Sequence, residues 1–399
     1  MSNPFSPPND RIFYACQGVW TGDGGAGATS WLQGVQAVGI NRELAPETLF
    51  DNGRLNQTFS RYGKTNYIIT ISRSVPLSGS DGGGFFYKTT QTTYEEGHLL
   101  STNGIGPGGT SIKDYDIAIF YGSDSLNNIA GAGLGAEYSV YIFKHALLTN
   151  ISYNIDVAGF VTEDLTFQAQ IYDQLNDGSP WDDFLDATQS TGVLPESSSN
   201  LVRKDIDISN CIFPKEVNEA FNIGNDKDGL PIFGLQSINL NCDISYRDLP
   251  DIGLWRGSDT ESEVNKWKVV DLPVAVTASF TGIVRSHYFA SSADQNHTLT
   301  DTYHTAGTYG AENKGIGKYK TDRQIRILTN ILYPESSPTD LFQWDLGNRN
   351  YLTSFDVTGG DTGGGNIEAT LSFQNDCSDL FLYQGATAQN YVPLDGAIY

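Results

Sequence analysis

Two stretches of this chain, 200 residues apart, spell nearly the same sequence. Residues 34–53 read GVQAVGINRELAPETLFDNG and residues 234–253 read GLQSINLNCDISYRDLPDIG. They align without a gap. Gly34, Gln36, Asn41, Leu49, Asp51 and Gly53 match Gly234, Gln236, Asn241, Leu249, Asp251 and Gly253, and conservative pairs such as Val38 with Ile238 and Glu43 with Asp243 fill the intervals. Downstream, residues 163–168 (EDLTFQ) pair with 369–374 (ATLSFQ) at an offset of 206, and Leu148-Thr149-Asn150 pairs with Leu352-Thr353-Ser354 at 204. The matches keep chain order while the offset drifts slowly, as expected of one domain present twice with small loop insertions. Two similar β-motifs without common descent would still leave two β-domains.

The 399 residues suit two or three domains of ordinary size. The repeat divides them into a first domain over residues 1–180, a linker over 181–200 and a second domain over 201–399. Residues 176–200 are rich in Asp, Ser, Gly and Pro and lack apolar periodicity, with one helical turn expected at Trp181–Leu185.

Local patterns point to an all-β fold with short helices. Tyr67, Ile69 and Ile71 alternate with Ile68, Thr70 and Ser72, a period of two with one buried face, and 274–280 is the counterpart. Further strands are expected at 12–19, 116–121, 138–143, 151–157, 165–169, 324–328, 352–357 and 367–373, where Val, Ile, Thr, Tyr and Phe dominate. The 43 glycines, 12% aromatics and single Met also favour short strands and Gly-rich turns. One short helix per repeat is expected: Pro46 as a first helical residue with Gly53 just past the end, and Ser245 capping Tyr246–Ile252 with Gly253 closing it. Pro76–Tyr94 and Arg285–Asp322 read as long polar excursions, one per domain.

Lys and Arg number 24 against 47 Asp and Glu, a net charge of −23. That balance speaks against a phosphate-neutralising surface, which needs a basic stripe. It fits either plain solubility or a surface past which DNA must slide without sticking. Cys16, Cys211, Cys242 and Cys377 form no C-x-x-C pair, so neither a zinc knuckle nor a redox motif is present, and free thiols are expected. The first ten residues are polar and Pro-rich, unlike a signal peptide, and no run approaches a membrane span.

Motifs that resemble chemistry fail on context. Gly22–Gly27 and Gly104–Gly109 fit G-x-G-x-x-G, but the first leads into a strand-like run and Pro107 interrupts the second. Gly359–Gly365 lacks the Gly-Lys-Ser/Thr ending of a phosphate loop and reads as a hairpin. Asn225–Gly229 resembles the middle of an EF-hand, yet the required oxygen ligands would fall on Gly224 and Leu235. His297 and His304, with Asp294 and Asp301 nearby, are a conceivable surface metal site, more simply a polar loop; His98, His145 and His287 stand apart. Glu95-Glu96 and Asp182-Asp183 read as solvated faces. The sequons at Asn56, Asn150 and Asn296 have meaning only in a secreted chain. No residue is therefore assigned as catalytic, cofactor-binding or metal-ligating, and no enzyme activity is expected.

A resemblance gives this pattern a direction. Phe13-Tyr14-Ala15-Cys16-Gln17-Gly18-Val19 followed by Gly34–Gly39, Leu148–Tyr153 followed by Gly159–Thr166, and Tyr351–Ser354 with Gly359–Asn366 and Glu368-Ala369-Thr370 resemble tail tube and related structural proteins of marine tailed phages. The resemblance implies two packed β-sheets with a flanking helix and a long inter-subunit loop. It also implies that six such domains per ring close their inner sheets into one barrel around a DNA channel. A duplicated chain would then need three copies per ring, a homotrimer with pseudo-sixfold symmetry, stacked through the two long excursions. DNA would pass without specific binding, other tail proteins would be partners, and the virion rather than a membrane would be the location. This chain departs from the family in being about twice a single tube domain and in its unmatched long loops. Two other readings stay open: a decoration, neck or baseplate hub protein, or a carbohydrate-binding β-sandwich adhesin using Trp20, Trp31, Trp255 and Trp267.

Overall fold

In the computed structural model, residues 15–23, 30–32, 34–49, 59–75, 98–100, 114–122, 138–169, 171–176, 200–202, 205–206, 211–221, 234–248, 268–284, 323–329, 341–359, 366–375 and 377–385 are described. The expected strands are present where they are described, several of them longer than local alternation predicts, and residues 12–14 lie outside the described residues. In chain order they are β1 (Ala15–Asp23), β2 (Ser30–Trp31), β3 (Val35–Leu49), β4 (Phe59–Ser74), β5 (Tyr115–Gly122), β6 (Tyr138–Asp156), β7 (Thr162–Ala169) and β8 (Ile171–Asn176). The helix α1 (Lys215–Phe221) follows, then β9 (Leu235–Asp243), β10 (Tyr246–Asp248), β11 (Lys268–Val270), β12 (Ala275–Ile283), β13 (Arg326–Leu328), β14 (Leu341–Asp345), β15 (Tyr351–Thr358), β16 (Glu368–Asn375) and β17 (Phe381–Gly385).

Eight of these strands form one long antiparallel sheet in the order β3-β4-β7-β6-β9-β12-β16-β15. Along β7, β12 and β16, buried and half-buried residues alternate strictly. That is the signature of a sheet with one face on a core. A second layer covers that face. From the first half it contains β2-β1-β5, the N-terminal part of β6, and β8; from the second it contains β13-β14-β17. Strand β6 belongs to both layers. It turns between them at His145, whose φ of 55° is unusual for a side chain with a Cβ and whose Nδ1 lies 2.8 Å from Asp114.

The core lies between the layers and is continuous from one half to the other. Tyr115 meets Phe167 edge to face at 5.9 Å, Tyr153 meets Trp344 at 5.9 Å, and Phe213 meets Phe280 at 5.6 Å. Burying each such ring contributes about 2–3 kcal/mol. Helix α1 packs Val217, Ala220 and Phe221 into the same core. Pro214 accepts its first backbone bonds, and Arg323 donates to Glu216 Oε1 at 2.8 Å, tying it to the strand region ahead of β13.

The two sets of four strands use the same ladder registers. Gly39 opposes Thr70 and Asn41 opposes Ile68, while Asn239 opposes Ser279 and Asn241 opposes Thr277. Both ladders skip the same glutamine, Gln36 and Gln236. Leu148 opposes Phe167 and Leu352 opposes Phe373, with a bulge at Thr149 in one and Thr353 in the other. Hydrogen bonds repeat too. Ser74 N–H donates to Gly34 O and Ile283 N–H to Gly234 O, both 2.9 Å. Thr149 Oγ1 donates to Thr166 O at 3.1 Å and Thr353 Oγ1 to Ser372 O at 3.0 Å.

Both expected repeat helices are corrected where they are described. Pro46 lies inside β3, next to a bulge. On an edge strand beside a bulge, the missing N–H of proline is tolerated. Tyr246–Asp248 is a strand paired with Lys268–Val270, and Tyr246 donates its hydroxyl to Leu148 O at 2.8 Å, an anchor that helical spacing would not provide. Gly53, residues 249–253, the linker turn at Trp181–Leu185 and both long excursions lie outside the described residues.

Candidate functional site: the polar face of the long sheet

Opposite the core, the long sheet presents a face built from every second residue of its eight strands. Strand β6 contributes Asn150, Ser152, Asn154 and Asp156; β9 contributes Ser237, Asn239, Asn241 and Asp243; β7 contributes Thr162, Asp164, Thr166 and Gln168. Directly opposed residues share a face, so the rows can be followed across the sheet. One runs Ala37, Ser72, Asp164, Ser152, Asn241, Thr277, Gln374, and another runs Asp156, Ser237, Thr281, Thr370, Asp356.

Short polar side chains dominate this face. They bond to one another: Asn150 Nδ2 donates to Asn241 Oδ1 at 2.7 Å and to Asp243 Oδ1 at 2.5 Å, and Asn241 Nδ2 donates to Asp243 Oδ2 at 3.0 Å. Thr281 and Thr370 hydroxyls lie 3.0 Å apart. Its described charges are Glu43, Asp156, Asp164, Asp243, Asp356 and Glu368. Among the described side chains of this face there is no Lys, Arg or His. Such a surface holds water through hydroxyl, amide and carboxylate groups and repels phosphate. Sequence reading did not assign the acids to a face. The readable signal was the run of Ser, Thr, Asn and Asp at every second position of four strands.

Other polar groups have structural roles. Glu163 is fully buried and accepts from Arg73, with Tyr153 donating to its Oε1 at 2.8 Å. Burial raises the Asp345 carboxyl to about 7, although it accepts from Gly347 N–H at 2.8 Å. Burial also pushes the Cys242 thiol and the Tyr246 phenol up. Cys242 and Cys377 are free thiols, and Cys211 Sγ accepts from Leu328 N–H at 3.2 Å. His98 is buried with Nε2 3.6 Å from Asp379, and His145 sits at the β6 corner.

The structure does not gather the sequence candidates into one place. Among the described residues, no three His, Cys, Asp or Glu side chains are grouped to hold a metal ion. His287, His297, His304, Asn225–Gly229, Gly104–Gly109, Glu95-Glu96 and Asp182-Asp183 lie outside the described residues. Asn150 of one sequon is in the middle of β6. Trp20 and Trp31 oppose each other on β1 and β2; Trp255 and Trp267 are outside the described residues. No described helix is long and apolar enough to cross a membrane.

No protein-family model matches the chain. No curated protein matches it either. Two solved structures are similar in part. One is the baseplate of the anti-feeding prophage, sixfold symmetrised, with 10% identity and a TM-score of 0.28, covering 43% of this chain and 99% of that one. The other is the tube-terminating cap of the anti-feeding prophage, with 13% identity and a TM-score of 0.27, covering 44% of this chain and 99% of that one.

Proposed function

We propose that this chain is a structural protein of a phage tail or tail-like particle, and that it builds a stacked-ring tube whose lumen is lined by the polar face of the long sheet. The observation that carries the reading is that face: eight strands wide, hydroxyl- and amide-rich, acidic and without a cation among its described side chains. A conduit for DNA must stay wet and must not bind its cargo. The matched registers, bulges and hydrogen bonds of the two halves support a tandem pair of tube-like domains, over residues 1–180 and 201–399. The chain has no catalytic role in this reading.

Strand spacing supports a ring of three chains. Three chains would bring twenty-four strands from the eight in each, about 115 Å of circumference and about 37 Å of diameter before strand tilt widens it. Two chains would give only about 24 Å before side chains fill the rim, too narrow for a duplex to pass. Three chains, with pseudo-sixfold symmetry, are the smallest closed set that passes DNA.

Negative-stain microscopy of purified protein tests the reading. Rings or hollow tubes are the expected result. A dispersed monomer that binds glycans would overturn it, and particles other than tubes would move the chain to another part of the same assembly. Gel-shift titration should show no binding of duplex DNA even at low salt, where any phosphate-neutralising surface would be strongest.

A further inference from the structure

Among the described residues, no further strand pairs with either end of the long sheet: β3 pairs only with β4, and β15 pairs only with β16. Open edges of this length are rare in proteins that stay monomeric, because unpaired N–H and C=O groups recruit another strand. In the middle of the sheet, by contrast, β6 pairs with β9. By ladder register, β15 occupies the place in the second half that β6 holds in the first, and β3 the place in the first that β9 holds in the second. The chain thus contains one finished copy of a junction and the two separated halves of another.

Burial records the missing half. Tyr153, at the finished junction, is 0% exposed, and its counterpart Val357 is 45% exposed; Ile244 is 3% exposed, and its counterpart Leu44 is 44% exposed. The polar partners have counterparts as well. Asn150, Asn241 and Asp243 bond across the finished junction, and Ser354, Asn41 and Glu43 stand in the same register positions.

We infer that β15 of one chain pairs antiparallel with β3 of a second copy, in the register of β6 with β9. Transferring Asn150↔Asp243, Ser152↔Asn241, Tyr153↔Leu240 and Asn154↔Asn239 places Ser354 opposite Glu43, Asp356 opposite Asn41, Val357 opposite Ile40 and Thr358 opposite Gly39 of the neighbour. Ile244 N–H donates to Thr149 O at 2.8 Å in the finished junction, so Leu44 N–H donates to the neighbour's Thr353 O. The junction buries Val357 and Leu44 and continues the polar face without interruption. It deepens the ring proposed above and rests on it for closure, because an antiparallel head-to-tail contact either closes or grows without limit.

Two variants with one added cysteine each, Asn41→Cys and Asp356→Cys, mixed and oxidised, test the register. Within one chain the two positions lie about 30 Å apart across the sheet, and each variant alone offers only one half of the contact. Disulfide-linked pairs are expected in the mixture and not in either variant alone or in the wild-type chain with its native thiols. A mixture of Ala37→Cys with Asp356→Cys, four residues out of register, is expected to stay unlinked. Val357→Lys, at an exposed edge position, should leave a folded monomer and abolish assembly. Linkage only in the out-of-register mixture would overturn the register. Rings that form without linkage in either mixture, or despite Val357→Lys, would overturn this junction while the ring survives. A chain that never self-associates would overturn both.

Discussion

The two halves hold the same strands in the same register but fill their share of one core differently. In the first half, Arg73, Glu163 and Tyr153 form a buried polar cluster. The ladder counterparts in the second half are Gly282, Ala369 and Val357. Gly282 could not regain a side chain cheaply, since a Cβ there would meet Gly234 O at 2.4 Å. Register therefore does not depend on which residues fill the core at these places. It depends on what the halves share: the skipped glutamines, the threonine bulges and the polar alternation, each of which fixes one strand against the next.

The largest expected effect separates the two ways of filling the core. Glu163→Ala leaves the Arg73 charge buried without its carboxylate and should cost about 3–5 kcal/mol in urea unfolding. Arg73→Met combined with Glu163→Leu should cost less than that single change, as in the second half, which does without the charges. Equal or greater cost for the double variant would show that the cluster supports the fold in a way the second half does not reproduce.

Phe167 and Phe373 are counterparts, both fully buried. Truncating either to Ala should cost about 3–4 kcal/mol. Because the core runs through both halves, each variant should shift a single unfolding transition. Two separated transitions, with each variant moving only one, would show that the halves unfold independently.

Asp345 distinguishes the second half by pH. Its folded value of about 7 lies above the ordinary carboxyl value, so the folded state holds this proton more tightly than the unfolded chain. Its contribution is fully present below the unfolded value near 4 and is lost as pH rises through about 7. Stability should fall by about 2 kcal/mol from pH 5 to pH 8 on this account, and Asp345→Asn should flatten that part of the profile. An unchanged slope in the variant would remove Asp345 as its source.

The smallest effect concerns the bulges. Thr149→Val and Thr353→Val each delete one hydroxyl bond and should cost about 1 kcal/mol. Similar costs would extend the equivalence of the halves to energies; a marked difference would limit it to geometry.

Sequence alone determined the all-β class, the position of most strands and the pairing of segments at offsets of 200, 204 and 206, because a strand with one buried face writes its period of two directly into the chain. The strands β8, β9, β10, β11, β14 and β17 were not legible as strands, nor was α1, whose seven residues are too few to show a helical period. The helices expected at Pro46 and Tyr246 failed because capping residues serve a bulge or a strand end equally well when a neighbouring strand supplies the backbone partners. Only the tertiary structure decided that β6 serves two layers, that the halves share one sheet through β6 and β9, and that six acids lie on one face without a cation among its described side chains. Those outcomes depend on which strands pair across long separations. Local alternation tells each residue to face inward or outward, but it cannot name the neighbour.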